Sequence, residues 1–158
     1  EYNSRVLFLV VGAGDMERQL IEQASSLGIS DKVLFAGFLR DQELAKVYRV
    51  ADLYVLPSVS EPFGITTLES LAHGTPVLIS RQSGVAEVLS HALKVDFWDI
   101  DEMANKIVSV LAYAPLHACL RENGNTEVKK LSWGRSAEQC SGVYNEVMLR
   151  ERAHTVIA

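Results

Sequence analysis

With 158 residues, 48% of them apolar, and a formal net charge of −5, the chain has the length for one domain with a real core. It is too acidic to present a broad nucleic-acid or anionic-membrane surface. No run approaches the ~20 apolar residues of a membrane span, and Glu1 to Arg5 has neither the charged n-region nor the cleavage site of a signal peptide. Cys119 and Cys140 lack metal-ligand spacing and read as reduced thiols of a cytoplasmic protein.

Arg5 to Val11, RVLFLVV, is a continuous apolar run that predicts a strand buried on both faces. GAGD follows, then a helix over MERQLIEQASSLGI. Leu20, Ile21, Ala24 and Leu27 fall at helical spacing there, Asp15 can cap its start and Gly28 ends it. Val33 to Phe35 is a second strand, and Asp41 opens a helix with Leu44, Val47 and Tyr48 inward. Leu53 to Leu56 is a third strand, stopped by Pro57. Ile65 to His73 is a helix ended by Gly74, and Val77 to Ile79 a fourth strand. Gly84 to Leu89 reads as a short helix and Leu93 to Val95 as an edge strand. Such alternation, with short connections, predicts an α/β fold: a Rossmann-like parallel sheet with helices on both faces.

After Asp99 the pattern is helix only. Asp101 to Tyr113 carries Ala104, Ile107, Val108 and Leu111 on one stripe, and Leu116 to Leu131 is a second helix. Ser132 can cap a third, Trp133 to Arg150, with an apolar face of Ala137, Cys140, Val143, Tyr144 and Val147. Residues 1–150 thus form the domain and 151–158 a tail without clear pattern.

The chemistry concentrates in SVSEPFGITTLES, Ser58 to Ser70. Ligands of a parallel sheet bind beyond the carboxyl ends of its strands, and the loop after Leu56 is such a place. The first turn of the next helix offers main-chain N–H groups from Gly64, Ile65 and Thr66, which attract an anion. Gly64 lets a phosphate approach closely. Glu69 lies roughly 7–8 Å into the helix at 1.5 Å per residue, where its carboxylate can accept from both hydroxyls of a ribose. Glu61, beyond the tip, can accept from the hydroxyls of a sugar. A loop acid and a solvent-facing helix glutamate would give the same spacing.

EPFGITTLE, followed by SLAHGTPVLIS and SGVAEVL, resembles the E-x7-E signature of retaining glycosyltransferases of the GT-B fold. This is the large glycosyltransferase group 1, or family 4, class that includes glycogen and sucrose synthases. The stretch from Val6 to Ser58 and LSWGRSAEQCSGVYNEVM extend the resemblance to about Met148. It implies the nucleotide-sugar-binding C-terminal domain of such an enzyme, transferring a hexosyl group from a nucleoside-diphosphate sugar. Glu61 then contacts the donor sugar at the reacting centre and Glu69 the ribose. Gly64, Ile65 and Thr66 hold the distal phosphate, and Phe63 joins the donor-binding set. Phe38 lies near the base, stacking on it or lining the wall. The resemblance also implies that the family domain's first strand, a loop bearing an arginine and a lysine, and the whole acceptor-binding N-terminal domain precede this chain. The 158 residues alone are expected to be inactive. A cytoplasmic location follows, with any membrane contact carried by the missing domain. Ser83 stands where the family usually has the first glycine of a pair.

Gly12 and Gly14 follow a strand as in a dinucleotide fingerprint, but Glu17 replaces the third glycine. They read as a tight turn near the donor pocket. Asp99-Ile100-Asp101 is formally a D-x-D, here explained by helix capping, so no metal or other cofactor is expected. His73 reads as structural, and Trp98 and Trp133 as core or interdomain anchors. The alternative to an enzyme part is a non-catalytic nucleotide- or sugar-binding module of the same fold. Such a module would need Glu69 and the helix tip but not Glu61.

Overall fold

Strand and helix alternate along the computed structural model, which describes residues 6–155. Strands β1 (Phe8–Val11), β2 (Val33–Gly37), β3 (Tyr54–Leu56), β4 (Val77–Ser80) and β5 (Leu93–Val95) are interleaved with helices α1 (Glu17–Ser26), α2 (Asp41–Val50) and α3 (Ile65–Ala72). Tight helical turns form at Ser30–Lys32 and at Gly84–Glu87, the latter within the predicted short helix. Helices α4 (Ile100–Ala112), α5 (Ala114–Val128) and α6 (Trp133–Thr155) follow.

Every strand pairing is parallel, but the strands form two groups rather than one sheet, β1–β2 and β3–β4–β5. The core gathers around β4, the only strand flanked on both sides by others among the described residues. Val77, Leu78 and Ile79 are fully buried there, and Val77 and Ile79 with Leu71, Val85 and Leu89 draw in Tyr54, Leu56, Leu68 and Val128. Each such side chain contributes about 1.5–3 kcal/mol relative to exposure.

The first strand departs from its sequence pattern. Phe8, Leu9 and Val10 are exposed rather than buried on both faces. Among the described residues β1 pairs only with β2, so nothing screens its second edge. Leu20 and Ile21 of α1 and Leu27 just past its end are exposed too, leaving Ala24 as the buried residue of that stripe. Asp15 does not cap α1; its start is held by the turn in which the Glu17 N–H donates to the Gly14 carbonyl at 3.1 Å. On α4 the buried residue is Val110, with Ile107, Val108 and Leu111 half-buried and Ala104 exposed. Asp99 caps that helix, its Oδ1 accepting from the Glu102 N–H at 2.9 Å. Ser132 likewise caps α6 through Arg135 N–H.

Helix α6 continues to Thr155, through most of the predicted tail, and Val156 to Ala158 lie outside the described residues. Its predicted apolar face is exposed at Val143, Tyr144 and Val147. Trp98 and Trp133 are exposed as well, so neither is a core anchor within this chain.

Helix α5 packs on α3, where a Cβ at Gly124 would lie 2.6 Å from Leu71 Cδ2. The Asn125 amide donates to the Leu71 and Ala72 carbonyls at 2.9 and 3.2 Å. Nearby, the Glu127 carboxylate accepts from the Ser90 and His91 main-chain N–H groups at 2.8 and 2.9 Å and meets the His91 ring at 3.2 Å. Burial opposes ionisation of this carboxyl, but the His91 and Ser90 amides and the His91 ring together hold its pKa below the ordinary value. The stability this provides is therefore present above the unfolded value of about 4.3 and lost as pH falls through the lowered folded value. Glu127→Gln should lower the melting temperature at pH 7, and the gap from the native chain should close by pH 3. A gap that persists unchanged at pH 3 would contradict the ionic origin.

Candidate functional site

Helix α3 is finished differently at its two ends. At the C-terminal end the N–H groups of His73, Gly74 and Thr75 return to Glu69, Ser70 and Leu71 carbonyls, and Asn125 serves two more acceptor sites. Gly74 makes the closing turn at φ +83°, as glycine does past a helix end. At the N-terminal end there is no side-chain cap. Thr67 N–H turns back to the Gly64 carbonyl at 3.1 Å, while the amides of Gly64, Ile65 and Thr66 find no acceptor among the described residues. Helices α1 and α2 also begin without side-chain caps. What sets α3 apart is that its tip is built into the core: Gly64 is buried, with φ +104°. Only glycine takes that conformation without strain. A Cβ there would sit 3.0 Å from Val85 Cγ1 and 3.5 Å from Glu61 Cγ.

The loop carrying Glu61 is clamped by main chain alone. Glu61 bridges Ser83 in parallel fashion. Gly84 N–H donates to the Glu61 carbonyl at 3.0 Å and Val85 N–H to the Phe63 carbonyl at 2.6 Å. Ser83 is buried and its hydroxyl donates to the Ser80 carbonyl at 2.7 Å. A serine is thereby accommodated at this buried position. The Glu61 side chain starts beside Gly64 and is half-buried, whereas Phe63 and Ile65 are exposed.

Two tyrosines connect the tip to Glu69. Tyr54 Oη donates to Thr66 Oγ1 at 2.8 Å, leaving the threonine's own proton free to donate outward. Burial raises the Tyr54 pKa; the Thr66 hydroxyl works against this, and the charges of Glu61 and Glu69 add to it. Tyr48 Oη donates to Glu69 Oε2 at 3.3 Å.

Of the residues singled out in the sequence, Glu61, Phe63, Gly64, Ile65, Thr66 and Glu69 cluster about the tip of α3. Phe38, Gly12 and Gly14 lie at the carboxyl ends of β2 and β1, with no hydrogen bond or ring contact to that tip among the described residues. Gly12, at φ +135°, donates to the Gly37 carbonyl at 2.8 Å and so ties the two strand ends together. Phe38 is exposed, and the Arg40 guanidinium lies 4.8 Å from its ring centre. Tyr48 and Tyr54 carry no predicted role in the site, and of the Ser83–Val85 clamp only Ser83 is marked in the sequence. Tyr48 reads as a helix's inner face and Tyr54 as a strand residue, and neither pattern signals what its hydroxyl binds.

Parallel strands covered by helices, with an open helix tip beyond the strand ends, make this a doubly wound α/β domain. The sequence profile described as "Glycosyl transferases group 1" matches residues 1–127, and the chain belongs to that family. It is 35% identical over 145 residues to an uncharacterized glycosyltransferase of Methanocaldococcus jannaschii, covering 89% of this chain and 37% of the relative. It is 35% identical over 144 residues to the mannosylfructose-phosphate synthase of Agrobacterium fabrum, covering 84% and 32%. Anabaena HepE, solved in complex with UDP and glucose, superposes with a TM-score of 0.82 at 21% identity, covering 91% of this chain and 41% of HepE. The fold is that of a GT-B glycosyltransferase domain, and the chain spans about a third of the length of these curated relatives.

Among the described residues no single helix is long and apolar enough to cross a membrane.

Proposed function

We propose that this chain is the donor-binding domain of a longer, retaining glycosyltransferase that moves a hexosyl group from a nucleoside-diphosphate sugar to an acceptor. The observation that carries the reading is the run of three amides at Gly64, Ile65 and Thr66 without protein acceptors, flanked by Glu61 before the tip and Glu69 one turn beyond. In transfer, the bond between the anomeric carbon and the distal phosphate oxygen breaks, the acceptor hydroxyl oxygen bonds to that carbon on the same face, and the hydroxyl proton passes to the departing phosphate oxygen. Negative charge grows on the distal phosphate as the bond breaks. Amides fixed by a built-in helix tip stabilise that charge more in the transition state than in the ground state, which is what accelerates a reaction. Glu61 would accept from the sugar hydroxyls and hold the anomeric carbon in place, Glu69 would accept from the ribose, and Phe63 and Ile65 would line the cleft. Phe38 would border the base, with Gly12 and Gly14 turning the chain beside it. No metal is assigned a role.

The rest of such a protein would supply the acceptor site and an arginine and a lysine for the phosphates, and would cover the exposed apolar faces of β1, α1 and α6. Transfer in the cytoplasm, where nucleotide sugars are made, fits this reading.

The test is a thermal-shift panel of UDP-, GDP- and ADP-sugars and the free diphosphates on the whole protein. A true donor at 100 times its Kd should add about 2.7 kcal/mol. No stabilisation by any member at millimolar concentration would overturn the reading.

A further inference from the structure

We propose that Tyr48 is a positioning residue for the ribose-binding carboxylate, holding Oε2 of Glu69 so that Oε1 is left for the nucleotide's hydroxyls; this rests on the role of Glu69 proposed above. Tyr48 is unusually well fixed for a surface helix. It is 3% exposed. Its ring meets Tyr54 edge-on, centroids 5.7 Å apart, and stacks on His73 at 5.9 Å. Its main-chain carbonyl accepts from the buried Thr75 hydroxyl, and the Thr75 carbonyl in turn accepts from Ser70 Oγ at 3.3 Å. Side chain and backbone are therefore both tied to α3 or to the turn that ends it. From that anchored ring the hydroxyl reaches Glu69 Oε2 at 3.3 Å.

Glu69 itself is exposed. A free glutamate on a helix surface samples many rotamers and loses that freedom when a ligand orders it. A donor already bound to one carboxylate oxygen removes much of that loss before the nucleotide arrives. Burial, then Tyr54 and the Glu69 charge, push the Tyr48 hydroxyl pKa well above its ordinary value, so it stays a donor throughout the physiological range.

The experiment uses the whole protein and calorimetry. The tightest binder among UDP, GDP and ADP is compared with its 2′,3′-dideoxy counterpart in the native protein, Tyr48→Phe, Glu69→Ala and the double variant. Glu69→Ala should abolish the preference for the hydroxylated ligand. Tyr48→Phe, which keeps the ring, should cut that preference by about threefold to tenfold and leave dideoxy affinity unchanged. The double variant should match Glu69→Ala alone, since the two act through one interaction. Suppose Glu69→Ala abolishes the preference while Tyr48→Phe weakens both ligands alike or neither. Tyr48 is then only a packing residue, and the site reading survives without it. A preference that persists in Glu69→Ala removes the ribose role of Glu69 and this inference with it.

Discussion

Glu61→Ala in the whole protein should lower sugar transfer by about a hundredfold or more, because the sugar loses the contact that fixes its reacting carbon. Nucleoside diphosphate affinity should stay within about twofold, the pattern expected when an interaction touches only the transferred group. The substitution is clean because the clamp on this loop uses the Glu61 carbonyl, which accepts from Gly84 N–H, and not its side chain. Alanine keeps that bond and removes the carboxylate alone. Equal loss of transfer and of diphosphate binding would mean the carboxylate supports the fold. No loss of either would place the chain among non-catalytic binding modules of the same fold.

Gly84→Ala should be the most damaging single methyl in the domain. The added Cβ would lie 2.2 Å from the Pro62 carbonyl oxygen, 3.0 Å from its carbon and 3.2 Å from Phe63 Cα. All are backbone atoms, so no rotamer change relieves the clash. The loops must separate, losing the hydrogen bonds from Gly84 to Glu61 and from Val85 to Phe63. Overpacking of about 1–3 kcal/mol and two bonds at about 1 kcal/mol each sum to roughly 3–5 kcal/mol. At roughly 2–4 °C per kcal/mol for a chain of this size, the melting temperature should fall by about 6–20 °C. Gly142→Ala is the matched control. It lies within α6 with open space around it, so helix propensity alone acts and should favour alanine. Equal melting temperatures for the two variants would show that the clamp is not rigid.

The parallel α/β alternation was legible because each element carries its own local signal. β4 reads as a strand and is found buried, since an apolar run between two neighbouring strands has no polar face to lose. The run from Leu7 to Val10 carries a like signal and is exposed. A hydrophobic pattern states that a surface is to be covered, not by what, and among the described residues β1 has one neighbour. The stripe Val143, Tyr144 and Val147 on α6 is the same case. Within the site, the open tip could be read from Pro62, Gly64 and the helix that follows, because helix geometry fixes which amides lack partners. The Glu61–Gly84 clamp could not. It is a main-chain contact between loops more than twenty positions apart, and backbone pairing of that kind leaves no residue-type signature beyond a glycine. The Tyr48 hydroxyl's partner depends on how α2 settles on α3, which neither helix encodes alone.

The measurement that bears most directly on the account is an amide nitrogen–proton correlation spectrum of the whole protein during titration with a nucleoside diphosphate. The largest downfield proton shifts should appear at Gly64, Ile65 and Thr66, and should shrink with the matching monophosphate, which lacks the distal group. Shifts centred elsewhere, or equal for the two nucleotides, would contradict a distal phosphate held by the tip of α3.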